Sequence, residues 1–203
     1  LNTTTTLKYN MGILVRNFIV NTTPLMNKGA RNNTIKNVHI DLNALDGAVN
    51  VGAIGIRFGT SGTASTDPLA ANSFNTIQDV VIEDFWRSGI QMYGHSGANP
   101  DVGNSILGVN GRTQVKNVNI TTGASNDIRA IEMNAQADLT IKKVDIMDIV
   151  STVNTTNQVK GIWFNPASGT DFVSGNVLIE DVVINKIHNA AAGATSGLAV
   201  GFE

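Results

Sequence analysis

One short apolar pattern recurs along the chain, and it restricts the fold more than any single residue does. Its fullest copy is Asn33-Thr34-Ile35-Lys36-Asn37-Val38-His39-Ile40, followed later by Gly55-Ile56-Arg57-Phe58. The first half returns at 14–20, 76–82, 114–120, 140–146 and 178–184, and the second at 89–92, 130–133, 161–164 and 197–200. Repeats of this kind decide architecture, because each copy buries its apolar face on its neighbours.

In a continuous strand Ile35 and Asn37 would share one face, and Val38 and Ile40 the other. Everything after the slip would then point to water. A bend at Asn37 resolves the conflict by ending one short strand and starting a second. Asn and Asp tolerate the left-handed backbone of such a corner. The corner position reads Asn17, Asn37, Asp79, Asn117, Lys143 and Asp181. The Gly-Ile-x-Phe half supplies a third strand, with Ile56 and Phe58 inward and Arg57 outward. One tight corner and two variable loops per turn describe a coil of parallel, stacked strands. Equivalent apolar positions are spaced 20, 42, 38, 26 and 38 residues apart. That unevenness excludes short strict repeats and fits a solenoid whose loops carry insertions.

The pattern resembles the right-handed parallel β-helix of the pectin-lyase-like superfamily, over about residues 13 to 203. The resemblance implies an all-β, single-stranded, right-handed solenoid of about five to six rungs, one domain over 1–203. That superfamily includes polysaccharide lyases, polygalacturonases and bacteriophage tail spikes. It therefore implies an extracellular or virion-tail location, a polysaccharide partner and assembly as a homotrimer. No capping helix is legible at either end. The expectation is a segment of a longer protein, or ends covered by partners.

Composition narrows the function classes. A net charge of −2 with 15% charged residues disfavours nucleic-acid backbone binding. The apolar runs are too short to insert in a bilayer. With no Cys there is neither a disulfide nor a thiolate metal site. No cofactor is expected, and no dense Asp cluster supports a Ca²⁺ site.

The outward positions of the third strands read Arg57, Gln91, Tyr93, Glu132, Asn134, Trp163 and Asn165. Aromatic faces pack on sugar C–H groups, while amides and guanidinium bond hydroxyls or carboxylates. Trp163, Tyr93, Arg57, Gln91, Asn134 and Asn165 are therefore the candidate substrate-binding stripe. The alternative readings of the same stripe are a subunit contact and a solvated face. Loops 59–74 and 94–112, rich in Gly, Ser, Asn and Pro, are expected to wall a groove.

Glycoside hydrolysis needs two carboxylates about the scissile bond. Glu132 is the candidate in the stripe, with Glu83, Asp84 or Asp101 from neighbouring loops. Asp84-Phe85-Trp86-Arg87 is expected at the edge of the same face. The paired Asp and Gly-His-Gly of polygalacturonases are missing; Gly94-His95-Ser96-Gly97 matches only superficially. The first expectation is thus a tail-spike-like polysaccharide-binding protein. The alternatives are a secreted hydrolase or lyase, and a structural stalk.

Overall fold

A computed structural model describes residues 11–16, 18–20, 26–42, 52–59, 68–94, 100–121, 127–152, 158–164, 175–190 and 199–200. These residues are almost entirely β, arranged as parallel stacks that follow chain order. The first stack holds Thr34–Lys36, Thr76–Gln78, Ser105–Leu107 and the beginnings of Thr140–Ser151 and Leu178–Asn189. The second holds His39–Asp41, Val81–Glu83, residues 114–116 and the middles of the same two long strands. The third holds Met11–Arg16, Ile54–Gly59, Ser88–Tyr93, Ile128–Asn134, Val159–Phe164 and Ala199–Val200. Such recurrence, with neighbours about 4.8 Å apart in a sheet, is compatible with a β-helix or solenoid. Among the described residues the one antiparallel pairing joins Phe18–Val20 to Met26–Lys28.

Left-handed residues explain how one chain feeds three stacks. All but Ala135 of those in the described residues form three columns rather than the single column expected. The predicted corner contains Asn37, Asp79, Lys143 and Asp181, with φ of 51–54°. A second lies five residues on at Asp84, Asn117, Asp148 and Lys186. A third precedes the first stack at Asn32, Phe74, Gly103, Asp138 and Asn176. In the first and second columns each left-handed residue lets the chain resume with an apolar side chain inward, while in the third Phe74 and Gly103 are followed by the buried amides Asn75 and Asn104. Thus Ile141, Val144, Ile146 and Ile149 are all fully buried across two corners of one strand. Burying an isoleucine fully is worth about 1.5–3 kcal/mol, and this series recurs rung after rung in one core cluster.

Two copies of the pattern stand in a different frame from the one the sequence implies. Residues 114–116 pair with 81–83 and 113–120 with 144–151, so Asn117 is a second corner and not the partner of Asn37. The true counterpart of Ile35 in that rung is Ile106, inside the segment read as loop 94–112. A short insertion, 108–112, separates the two strands and disguises the match. Residues 11–16 likewise join the third stack, where Ile13 meets Ile56 and Val15 meets Phe58. Asn17 lies outside the described residues.

Beside the apolar core runs an interior ladder of amides. Asn75 accepts from the backbone and side-chain nitrogens of Asn33 at 3.0 and 2.9 Å. Asn104 accepts from the same two groups of Asn75 at 2.9 and 3.2 Å. It also donates to Asn72 O and Gln136 Oε1 at 2.8 and 3.0 Å. Leu139, the residue in that column on the next rung, is buried and apolar, so the ladder ends there. Each buried amide is bonded along the stack, which removes the cost of desolvating it.

Candidate functional site

The candidate site is the outward face of the third stack, and glycines shape it. A Cβ on Gly12, Gly55 or Gly89 would lie 2.7, 2.4 and 2.4 Å from side-chain carbons of Ile40, Ile82 and Val115. Only glycine lets these strands press against the second stack. An inward small residue (Gly89, Ala130 or Gly161) is followed by an inward Ile, so the flanking outward positions are three residues apart. Ser88 with Gln91, Arg129 with Glu132, and Lys160 with Trp163 are brought together in this way.

Register fixes the next level. Arg57, Gln91, Glu132 and Trp163 stand in one column, each opposite the next. Tyr93 is opposite Asn134 in the neighbouring column. The stripe read from the sequence is therefore one continuous row, apart from Asn165, which lies outside the described residues. Its centre is not a solvated surface, however: Gln91 and Glu132 are fully buried.

Glu132 is ringed by donors. Ser88 Oγ and Gln91 Nε2 donate to Oε2 at 2.8 and 2.7 Å. The Tyr93 hydroxyl and Arg129 Nη1, the latter at 2.9 Å, donate to Oε1. Burial pushes the carboxyl up, but the Arg129 charge and the three neutral donors outweigh it and hold Glu132 below its ordinary value. It is a fixed anion at neutral pH. Arg129 also binds Asp127 Oδ2 at 3.1 Å and lies 4.1 Å from the Trp163 ring centre; Lys160 Nζ lies 4.0 Å from the same centre. Arg57 lies over the Tyr93 ring at 5.8 Å.

Among the described residues three buried side-chain atoms on this face have no hydrogen-bond partner: Arg57 Nε, Gln91 Oε1 and Arg129 Nε. Two donors and an acceptor thus retain hydrogen-bonding capacity within one patch.

The other proposed carboxylates stand elsewhere. Glu83 ends a second-stack strand and binds His39, Lys116 and Asn117 at 3.2, 3.8 and 2.9 Å. Asp84 occupies the second corner, and Asp101 joins the interior ladder through Asn72 N at 2.8 Å. Phe85 and Trp86 are core residues, not the rim of this face, because the corner at Asp84 turns them inward. The carboxylate that shares a partner with Glu132 is Asp127, through Arg129. Sequence reasoning missed Asp127, Arg129, Ser88 and Lys160. The signal available was the three-residue spacing that a small residue followed by Ile, both inward, imposes. Among the described residues no group of three acidic or His side chains could hold a metal ion.

No protein-family model, curated protein or solved structure gives a significant match to this chain.

Proposed function

We propose that the chain is a right-handed, single-stranded parallel β-helix of the pectin-lyase-like type that binds polysaccharide on the outward face of its third stack. A right-handed sense follows the strong preference of parallel crossovers. The observation that carries the reading is the register-matched row Arg57–Gln91–Glu132–Trp163, flanked by Tyr93 and Asn134. Half-exposed Tyr93 and Trp163 offer apolar ring surface on which sugar C–H groups pack. A surface-displayed homotrimer, on a virion tail or a cell, is the setting in which such a face serves attachment.

Binding is favoured over hydrolysis by the state of Glu132. A general acid needs a raised pKa and a nucleophile needs a free lone pair. Glu132 is held ionised, with two donors on each oxygen. Tyr93→Ala and Trp163→Ala, compared with the parent in affinity electrophoresis through embedded polysaccharide, test the reading. Weakened retardation supports it, and unchanged retardation in both variants refutes the assignment to this face.

A further inference from the structure

We propose an oxyanion-binding site where Arg16 and Arg57 converge at the start of the stacks. Leu14 stands opposite Arg57 and Arg16 opposite Gly59 on the paired strands Met11–Arg16 and Ile54–Gly59. Gly59 is what allows the convergence. Its ideal Cβ position is only 3.1 Å from Arg57 Nε and 3.7 Å from Arg57 Cγ. The Arg57 side chain therefore lies along its own strand, over Gly59, toward the position across from Arg16. Its guanidinium is flanked on the other side by the Tyr93 ring.

Met11, Leu14, Arg16, Arg57 and Gly59 line one cleft. Neither arginine forms an ion pair or hydrogen bond to a carboxylate among the described residues, while Arg112 and Arg129 each pair with two aspartate or glutamate side chains. Two guanidinium groups facing one cleft without an acid repel each other, and an oxyanion between them turns that repulsion into attraction. Planar guanidinium forks suit the paired oxygens of a carboxylate, sulfate or phosphate group. Met11 and Leu14 give the cleft an apolar side, which fits an oxyanion carried on a carbon skeleton. This inference rests on the cleft and not on the polysaccharide reading.

The test is an NMR titration that follows the Arg Nε–Hε correlations at constant ionic strength. Inorganic sulfate is one probe, and a sulfated oligosaccharide with its desulfated counterpart is the other. The site predicts saturable shifts at Arg16 and Arg57, and Arg16→Gln should weaken the affinity at least about tenfold, as loss of one charge-assisted contact does. Arg57→Lys, which keeps charge but loses the fork, should also weaken it; exposed Arg16 supplies the result if Arg57 variants fail to fold. Saturation by sulfate alone assigns a free anion, and saturation by the sulfated oligosaccharide assigns a carried one; either supports the site. Absent or non-saturating shifts overturn it, as does an affinity unchanged in Arg16→Gln. Polysaccharide retained by the face while sulfate and the sulfated oligosaccharide give no saturable shift at Arg16 would refute this cleft and leave the third-stack face standing. Saturable sulfate binding without polysaccharide binding would do the reverse.

Discussion

The Arg129 guanidinium carbon lies 4.1 Å from the centre of the Trp163 ring, and the same side chain donates to buried Glu132 at 2.9 Å. A half-exposed aromatic ring is thereby coupled to a fully buried anion through one cation. The outer face and its polar floor form one unit.

Glu132→Gln is expected to cost about 2–4 kcal/mol, because Arg129 loses a buried counter-charge and the new amide N–H₂ confronts existing donors. Asp127 still holds Arg129 and limits the loss. Urea unfolding measures it; a change below a few tenths of a kcal/mol would contradict the described network.

Burial pushes Asp101 up to about 7 from the ordinary 3.8, against the opposing bonds from Asn72 N and Gln136. The folded state therefore binds a proton more tightly than the unfolded chain does. By linkage, this group makes stability fall as pH rises from about 4 to about 7. Asp101→Asn should lack that component, read from denaturation midpoints across the range. A carboxyl resonance of Asp101 titrating near 4 would rule the effect out.

Asp79 behaves oppositely. Its carboxylate accepts from the backbone nitrogens of Val109, Asn110 and Gly111 at 2.7, 3.1 and 3.3 Å. The Val109 bond leads in lowering its pKa to about 2, opposed by desolvation and helped by Gln78, Asn110 and Gly111. Its contribution is present above 3.8 and is lost as pH falls through about 2. Asp79→Asn should accelerate amide exchange at 109–111, and protection equal to the parent's would show that the carboxylate does not hold this insertion.

Lys143 sits at φ 54° in a column otherwise built from Asn and Asp. Lys143→Asn removes part of the left-handed penalty and should add about 0.5–1 kcal/mol. A lower thermal midpoint than the parent's would mean that the lysine is held there by something other than the corner.

The parts of this fold legible in the sequence were those with short-range signatures. The phase slip at Asn37 and Asp79 marks a backbone sign change, and Gly-Ile-x-Phe marks a strand pressed against a neighbour. The second corner escaped notice because Asp148 and Lys186 fall inside long strands, with no Gly or Pro to mark them. Ile106 was hidden because its strand is three residues long and the insertion at 108–112 detaches it from the next. For the site, alternation identified Arg57, Gln91, Glu132 and Trp163. It could not show that Gln91 and Glu132 are buried, since burial depends on what packs across rungs. Arg129 and Lys160 required knowing that two consecutive inward residues, Ala130-Ile131 and Gly161-Ile162, bring residues three apart to the same face.

The most direct measurement is to incubate the chain with a panel of acidic and neutral bacterial and plant polysaccharides and to follow both retention and polymer length by chromatography. The account predicts at least one polysaccharide that is retained at full length, with retention reduced in Tyr93→Ala and Trp163→Ala. Shortened polymer that persists in those variants, or no retention by any member of the panel, would contradict it.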